Sequence, residues 1–359
     1  MDQNWSARAY RNGDEEQILE LYSAVFGEIT DKNKWLNEWK WKYKQNPAGE
    51  PIIWVACCDN KIVAQYAIAP VKIKFGDRTV TAAQSVDTMT HPDYQGRGIF
   101  VALTAEVFKE AARRDVAFIY GFPNKLTSWH EKNWHKVGNL SFMIKPVNIN
   151  KLVRSYIVSP KIPGIICAGL IKLAIGLLFH EGRRKNRGDI KISKIKAFDQ
   201  RADKLWANVS GDYQIRVLKN KEYLDWRYTA LPGNEYEIYA AEKQEEIRGY
   251  LVFKCMSQRG LKTAYVLDLI APLQDRTAAY FLVKKALEDL REKQVDIVAY
   301  PVITSRNLKK TLHKTGIFTF PFLNRIFPFV IHASQPEISE SMLRNPENWL
   351  VQIGDSDIM

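Results

Sequence analysis

Short apolar runs alternate with amphipathic stretches along the chain, and this order predicts a mixed α/β protein. Trp54–Cys58 and Ile62–Ile68 are strand-like and are joined at Asp59-Asn60, a dipeptide that favours a tight hairpin turn. Apolar residues at every fourth position predict an amphipathic helix over Gly98–Arg114. The other elements predicted for this part of the chain are strands over Val71–Phe75, Val80–Thr90 and Val116–Tyr120 and a helical stretch that ends near Gly138.

The second half of the chain repeats the first, initially at an offset of 185 residues. The offset then decreases, which indicates small deletions in the second copy. The clearest matches pair Trp41-Lys42-Tyr43 with Trp226-Arg227-Tyr228, Val86-Asp87 with Leu267-Asp268, and His135-Lys136-Val137-Gly138 with His313-Lys314-Thr315-Gly316. Because the matches remain in order over roughly 100 residues, we predict two similar α/β domains.

A glycine-bearing loop separates the strand Val80–Thr90 from the helix that follows it. The loop sequence is His91-Pro92-Asp93-Tyr94-Gln95-Gly96-Arg97-Gly98-Ile99-Phe100. Glycines at such a junction let backbone N–H groups turn toward an anion, and the helix N-terminus adds about half a positive charge. The loop is neither a P-loop nor a Rossmann fingerprint, because it lacks the Gly-Lys-Ser/Thr of the first and the glycine spacing of the second. We predict a pyrophosphate site of another kind, and the alternative is an ordinary glycine-rich turn.

This loop resembles motif A of the GCN5-related N-acetyltransferase (GNAT) superfamily, which reads Gln/Arg-x-x-Gly-x-Gly/Ala between strand 4 and helix 3. Gln95 and Gly98 match that pattern, whereas Phe100 stands where the family has Gly or Ala. Val116–Tyr120 followed by Asn124 is similar to strand 5 of the family and its asparagine. The resemblance implies an α/β fold (α+β mixed sheet) with two tandem GNAT-like domains. Each would be a mixed, mostly antiparallel sheet flanked by helices, and the second would be degenerate.

Four segments follow from the repeat and the resemblance. They are a GNAT domain with the acetyl-CoA site over residues 1–146, an inserted segment over 147–188, a degenerate GNAT-like domain over 189–332 and a C-terminal tail over 333–359. In the second copy, the path from strand to helix contains no glycine between Pro272 and Thr277. Asp275 would also place a negative charge beside a pyrophosphate. We therefore expect only the first copy to bind CoA.

The resemblance implies acetyl-CoA as cosubstrate, a primary amine of a small molecule as acceptor, and no metal. It assigns the backbone from Gln95 to Phe100 to the pyrophosphate, and an N–H of Met89 or Thr90 to the thioester carbonyl oxygen. The expected cofactor-binding residues are Met89, Thr90, Gln95, Gly96, Arg97, Gly98, Ile99, Phe100 and Asn124.

The base that deprotonates the amine is open between several groups. Asp87 lies on the predicted strand 4, but Asp268 occupies the equivalent place in the second copy, which favours a shared structural role. His130 has no counterpart in the repeat, and its alternative reading is a surface histidine. A water relay is the third option. His135 repeats as His313 and is expected to be structural.

The group that protonates the leaving thiolate is equally open. The family's tyrosine acid falls on Trp134, which has no proton to give, and this leaves Tyr120 or water. A terminal carboxylate at Met359 is a further group that could reach the site. His130 and the histidine five positions later would lie about 140° apart around a helix, so they do not form a zinc pair. The catalytic candidates are therefore Asp87, His130 and Tyr120.

Three function classes fit these features. The leading one is an N-acetyltransferase that acts by direct attack in a ternary complex, with an amino sugar among the acceptors considered. The alternative is a FemABX-like aminoacyl or peptidyl transferase acting on a cell-envelope precursor, although its donor has no CoA pyrophosphate. The third is a non-catalytic binding module.

Composition and charge restrict the setting of the protein. The four cysteines form no Cys-x-x-Cys, which argues against a disulfide framework or a zinc site. The first residues are polar and acidic where a signal peptide would be basic and apolar, so we expect a cytoplasmic protein. The net charge is +12, but much of it is concentrated in one segment, which argues against a general nucleic-acid binder. No oligomeric state is predicted.

That segment, Lys151–Arg187, contains eight basic residues and one acidic residue. Its apolar stretch Ile162–Phe179 includes Pro163 and Lys172, which argues against a transmembrane helix. The pattern fits an amphipathic element lying on anionic lipid at the inner membrane surface. The alternative is a pair of helices packed on the domains or a dimer contact.

If Lys151–Arg187 contacts lipid, the protein should co-sediment with anionic vesicles. Each basic residue near such a surface contributes about 1 kcal/mol, and salt screens this attraction. Recovery should therefore fall in high salt and be low with neutral vesicles. Equal recovery with neutral and anionic vesicles at low salt would support the packing alternative.

Overall fold

The computed structural model describes residues 5–123, 134–149, 151, 188–231, 233, 235–258, 260–319 and 327–357. The chain folds into two compact units. The first comprises Met1–Val137, Ala230–Gly233 and Pro328–Asn345, and the second comprises Gly138–Thr229, Asn234–Phe327 and Pro346–Met359. The α/β class expected from the sequence is confirmed, because each unit combines a mixed sheet with helices.

The first unit is a sheet that carries helices on both faces. Its strands are β1 (Ser6–Ala9), β2 (Ile52–Cys58), β3 (Lys61–Phe75), β4 (Arg78–Thr90), β5 (Phe118–Gly121) and β14 (Phe327–Ala333), and its helices are α1 (Glu15–Phe26), α2 (Lys32–Lys44), α3 (Ile99–Arg113) and α8 (Glu340–Arg344). The strand order is β1-β2-β3-β4-β5-β14. Among the strands described in this unit, β4 and β5 form the parallel pair, with Ala83 opposite Ile119 and Gln84 opposite Tyr120. Helices α1 and α2 pack on one face and α3 on the other.

The second unit has the same strand order. Its strands are β6 (His135–Pro146), β7 (Lys191–Ile195), β8 (Ile215–Val217), β9 (Glu237–Lys243), β10 (Glu246–Gln258), β11 (Leu261–Ile270), β12 (Ile297–Ile303), β13 (Phe318–Thr319) and β15 (Trp349–Gln352), and its helices are α4 (Arg201–Val209), α5 (Lys221–Tyr228), α6 (Arg276–Glu292) and α7 (Arg306–Lys314). The order is β7-β9-β10-β11-β12-β6. Here β11 and β12 form the parallel pair. The internal repeat of the sequence is therefore also a repeat of topology.

Each unit takes one strand from the other half of the chain. β6 follows β5 in sequence but pairs with β12 over residues 141–146, whereas β14 follows β12 but pairs with β5. The segment Gly138–Pro146 thus lies in the second unit, and Pro328–Asn345 lies in the first. The compact units consequently differ from the predicted ranges 1–146, 189–332 and 333–359.

Most local elements agree with the sequence. The turn at Asp59-Asn60 has φ values of 48° and 65°, the left-handed conformations that a two-residue hairpin requires. The two strands predicted over 62–68 and 71–75 form the single strand β3. The helix expected to end near Gly138 was wrong at that end, because His135 to Gly138 begin β6. The same strand pairs with β12 over residues 141–146, a long-range contact that no local pattern reveals.

This difference also changes the alignment of the repeat. His135 starts a strand, whereas His313 lies at the end of helix α7. The match between these two histidines is therefore not a structural equivalence. Residues 152–187, which carry nearly all of the predicted membrane-surface segment, lie outside the described residues. In the described part of the chain, no helix has the length and apolar character needed to cross a bilayer.

The C-terminal strand β15 lies between β11 and β12 in the second unit. Gln352 is opposite Val302 on β12, and its Oε1 accepts a hydrogen bond of 2.7 Å from the backbone N–H of Leu269 on β11. Its Nε2 donates to the carboxylate of Asp268 and the hydroxyl of Tyr300 donates to its Oε1. Residues of β15 thus fill the gap where the parallel strands β11 and β12 diverge.

A buried ion network holds this segment. The Nζ of Lys219 lies 2.8 Å from a carboxylate oxygen of Asp268 and also contacts Asp355, which follows β15. Burial on its own lowers the pKa of Lys219, but the two carboxylates raise it above the usual lysine value. Arg227 donates to the carbonyl oxygens of Gly354 and Ser356 at 2.9 and 3.0 Å. The segment is therefore part of the second unit's core.

The close packing around Gly354 leads to a prediction about stability. An added Cβ would lie 2.7 Å from the carbonyl oxygen of Leu267 and would collide with the hydroxyl of Tyr228. We expect Gly354→Ala to lower the free energy of unfolding by about 1–3 kcal/mol, as overpacking does. Gly211→Ala is the matched control, because an added Cβ there meets no heavy atom within 4 Å. Equal urea midpoints for the two variants would contradict this account of the C-terminal segment.

Candidate active site

The loop between β4 and α3 changes direction through two left-handed glycines. β4 ends at Thr90, a short 3-10 turn covers Pro92–Tyr94, and α3 begins at Ile99. Gly96 and Gly98 have φ values of 73° and 74°, which glycine adopts without the strain of a side chain. A Cβ at either glycine would meet no heavy atom within 4 Å. The space beside both glycines is therefore open to a ligand.

Two polar side chains hold the loop from within. The Nε2 of Gln95 donates to the carbonyl oxygen of Thr90 at 3.4 Å. A guanidinium nitrogen of Arg97 donates to the carbonyl oxygen of Asp93 at 2.8 Å, and its Cζ lies 4.8 Å above the ring of Tyr94. Gln95 and Arg97 are both exposed. They are within a short reach of any anion that the loop binds.

The first turn of α3 has no side-chain cap. Gly98 occupies the N-cap position, and the first N–H that bonds inside the helix is that of Ala102, which donates to the carbonyl oxygen of Gly98 at 3.1 Å. The N–H groups of Ile99, Phe100 and Val101 precede this bond, and such groups need an acceptor from outside the helix. Together with the helix dipole they form an anion site. The geometry can therefore hold a pyrophosphate.

The end of β4 that leads into this loop contains a bulge. Gln65 pairs with Met89 and Ala67 pairs with Val86, so β4 has one more residue than β3 between these pairs. Asp87 lies in the bulge with a φ of 45°, a conformation that few non-glycine residues adopt. Bulges of this kind redirect backbone groups and side chains near active sites.

The carboxylate of Asp87 is held from helix α2. The hydroxyl of Tyr43 donates to it at 2.6 Å, and the Nζ of Lys42 lies 2.8 Å from the same oxygen. The second copy has a related contact, because Tyr228 donates to Asp268 at 3.1 Å. The two carboxylates differ in access to solvent: the side chain of Asp87 is 18% exposed and that of Asp268 is 0% exposed. The repeat thus keeps the tyrosine–carboxylate bond, while only the first copy leaves the carboxylate accessible.

The remaining catalytic candidates are not all within the described residues. Tyr120 is buried on β5 opposite Gln84, and its ring packs against Phe122 and Phe329 with centroids 6.1 and 5.9 Å away. His130 and Asn124 lie outside the described residues. The role of Tyr120 as an acid therefore stays a prediction, as do the roles of the other two.

The structure places the predicted residue Phe100 and adds three residues that the sequence analysis did not predict. The ring of Phe100 packs 5.9 Å from that of Tyr66, so its bulk points at the sheet and leaves the backbone N–H at the helix end. Lys42, Tyr43 and Gln65 contact Asp87 and were not predicted. The repeated Trp-basic-Tyr triplet was the signal for the first two, because the tyrosine of each copy contacts the carboxylate of that copy.

Comparison with known proteins identifies the domain that carries this site. Residues 6–137 match the family model described as an acetyltransferase (GNAT) domain. We refer to these residues as the GNAT domain. The match covers β1 to β5 and the loop before α3, which confirms the family resemblance and the class of acyl-CoA-dependent acyltransferases. No curated protein sequence matches the chain.

Solved structures share the fold of the whole chain. A GCN5-related N-acetyltransferase from Anabaena variabilis aligns with a TM-score of 0.63 and 12% identity over 92% of this chain and 73% of its own. A protein of unknown function from Enterococcus faecalis, a probable N-acyltransferase, has a TM-score of 0.65 and 11% identity with the same coverage. N-myristoyltransferase from Saccharomyces cerevisiae with bound myristoyl-CoA has a TM-score of 0.62 and 11% identity over 98% of this chain and 90% of its own. At such low identities the likeness concerns the fold.

The second copy lacks the open helix end of the GNAT domain. Asp275 is the N-cap of α6, and its carboxylate accepts a 2.9 Å hydrogen bond from the N–H of Thr277. The carboxylate thus occupies the place that a phosphate takes at an uncapped helix. Among the described residues, no group of three or more His, Cys, Asp and Glu side chains could hold a metal ion.

Replacing Gly98 tests the anion site of the GNAT domain. We expect Gly98→Val to abolish measurable CoA binding in calorimetry, because a Cβ would fill the space beside the free N–H groups and a left-handed φ strains any branched residue. Gly76→Val is the matched control, since Gly76 has a φ of 61° and equally open surroundings at the β3–β4 hairpin. It should bind CoA normally. Unchanged affinity in a folded Gly98→Val protein would refute the site.

Proposed function

We propose that this protein transfers the acetyl group of acetyl-CoA to the primary amine of a small molecule, by direct attack in a ternary complex on the GNAT domain. The observation that carries the proposal is the uncapped N-terminus of α3 behind Gly96 and Gly98. A helix end of this kind stabilises a pyrophosphate with backbone N–H groups alone. The exposed Arg97 adds a positive charge beside it.

The same observation favours CoA over the donor of the alternative function. A FemABX-like transferase takes its acyl group from aminoacyl-tRNA, which has no CoA pyrophosphate. An open anion site directly after strand β4 would then have no partner. The loop therefore supports an acyl-CoA donor, and the choice of acetyl over a longer acyl group is part of the proposal.

The proposed reaction requires three contributions from the chain: binding of the pyrophosphate, stabilisation of the oxyanion and removal of a proton from the amine. The loop anchors the pyrophosphate, and a backbone N–H of Met89 or Thr90 at the end of β4 stabilises the oxyanion that forms on the thioester carbonyl. The amine must lose a proton, since an alkylammonium with a pKa near 10 is no nucleophile at neutral pH. Asp87 is the proposed acceptor of that proton through water, because its carboxylate is fixed by Tyr43 and is accessible. Tyr120 or water then protonates the CoA thiolate.

The proposal assigns one CoA to each chain. In the second copy, Asp275 caps α6 and β15 lies between the diverging strands β11 and β12. Asp275 thus stands at the N-cap position that Gly98 leaves without a side-chain cap in the first copy. The second unit is then a scaffold, and the acceptor remains a primary amine of unassigned identity with an amino sugar as the first to test. Peripheral contact with anionic lipid remains a separate proposal for the basic segment 151–187.

Calorimetric titration with CoA tests the division of labour. We expect about one CoA per chain, because Asp275 caps the helix of the second copy whereas α3 has no side-chain cap. Asp275→Gly should leave the stoichiometry unchanged, since β15 still fills the second cleft. A stoichiometry of about two in the wild-type protein would contradict the proposal.

Release of free thiol from acetyl-CoA in the presence of a panel of amines tests the reaction. Asp87→Asn should lower kcat by about 100-fold or more, the size of a general-base contribution, with the affinity for CoA retained. Asp77→Asn, an exposed carboxylate in the β3–β4 turn, is the control and should keep full activity. If Asp87→Asn retains wild-type kcat, the carboxylate has the purely structural role suggested by Asp268.

A further inference from the structure

Gln65 is buried on β3 beside the β4 bulge. Gln65 is 1% exposed, and its Nε2 donates a hydrogen bond to the backbone carbonyl oxygen of Asp87 at 3.1 Å. A carbonyl oxygen can only accept, so the atom facing it must be the amide nitrogen. Among the described residues, the Oε1 of Gln65 then has no hydrogen-bond donor. The amide nitrogen of Gln65 is therefore hydrogen-bonded, whereas its buried amide oxygen is not.

The bond to Gln65 sets the direction of one peptide group. The described chain contains no cis peptide bond, and in a trans peptide the carbonyl oxygen and the following N–H point in opposite directions. With the carbonyl oxygen of Asp87 turned toward Gln65, the N–H of Thr88 must point away from it. The Asp87–Thr88 peptide, which precedes Met89 and Thr90, is thereby oriented by a side chain from the neighbouring strand β3.

Asp87 needs such a restraint because its backbone is in a sparsely populated region. Its φ of 45° is unusual for a residue other than glycine, and conformations of this kind persist only where the surroundings enforce them. Tyr43 and Lys42 hold the side chain of Asp87, whereas Gln65 holds its carbonyl group. Both the side chain and the main chain of Asp87, the bulge residue, are therefore held in place.

Stability alone does not account for an amide at this position. A buried polar group that is only partly satisfied is less favourable than an apolar side chain of the same shape. Methionine or leucine would fill the space beneath the sheet without leaving an oxygen unpaired. The presence of glutamine is explained if its nitrogen performs a task that an apolar residue cannot perform.

The second copy provides an internal comparison. Tyr250 stands at the position of Gln65, since Gln65 pairs with Met89 and Tyr250 pairs with Ile270 in the corresponding registers. Tyr250 donates to the side chain of Asp268 at 3.3 Å. In the described chain, Asp87 is among the residues with positive φ and Asp268 is not. Glutamine and the left-handed bulge residue thus occur together in the copy with the open anion site, and both are missing from the other.

We propose that Gln65 is a positioning residue for acyl transfer. It holds the Asp87–Thr88 peptide so that the N–H groups at the end of β4 keep the direction required by the thioester carbonyl oxygen as negative charge develops on it. Gln65 does not touch the substrate. The inference rests on the proposed function, because it assigns Gln65 to the reaction on the GNAT domain.

Gln65→Met tests the inference, since methionine has a similar length and no donor. We expect kcat to fall about tenfold or more, in line with the cost of misplacing a reacting group. The KM for acetyl-CoA and the calorimetric Kd for CoA should stay within about twofold of the wild type, because the pyrophosphate loop is untouched. The melting temperature should be unchanged or higher.

Ile68→Val is the matched control on the same buried strand. It should lower the melting temperature slightly and leave kcat unchanged, because Ile68 packs on the opposite face of the sheet. Wild-type kcat in Gln65→Met would overturn the inference, and so would a parallel loss of kcat, CoA affinity and melting temperature. A wild-type protein that neither binds CoA nor releases thiol would instead refute the proposed function itself.

Discussion

The chemistry proposed for this protein depends on a helix that lacks its own cap. The first N–H groups of an α-helix must find acceptors, and a side chain at the N-cap position normally supplies one. In α3 the N-cap is Gly98, which has no side chain to offer, and the left-handed turns at Gly96 and Gly98 keep the approach open. The unmet hydrogen-bonding demand of α3 thus favours an anionic ligand. In the proposed function, the residues on β4 act on the group attached to that ligand.

The two halves of the chain show how one fold yields an open and a closed version of the same site. Asp275 caps α6, and β15 occupies the space between β11 and β12 with Gln352 bonded to both sides. The buried network of Lys219, Asp268 and Asp355 ties that strand into the core. The exchange of β6 and β14 between the units means that neither half of the sequence completes its own sheet. The second copy is therefore required for the fold even without a ligand of its own.

Local sequence patterns were sufficient for the hairpin, for α3 and for the anion loop. The hairpin at Asp59-Asn60 and the apolar residues at every fourth position of α3 are short-range features, and each strongly favours one local structure. The family resemblance of residues 6–137 could also be recognised from the loop, because its glycines stand at fixed positions between a strand and a helix. The repeat further indicated that Asp87 and Asp268 share a structural environment.

Other features could not be predicted because they arise from contacts between distant segments. The fate of β6 depends on its pairing with β12, more than 150 residues away, and its sequence alone also fits a helix end. The seating of β15 and the contact between Gln65 and the Asp87 carbonyl depend on strand register, which one sequence does not determine. Gln65 belongs to no motif, and its role is inferred from the hydrogen bond that it donates to the Asp87 carbonyl.

Amide hydrogen exchange with and without CoA tests the central claim most directly, because it reports on the individual N–H groups that the account invokes. CoA should slow exchange at residues 96–101, at the start of α3, and leave residues 276–278, at the start of α6, unchanged. The first group would then be bonded to the pyrophosphate, while the second is already capped by Asp275. Protection at the start of α6, or none at the start of α3, would contradict the account.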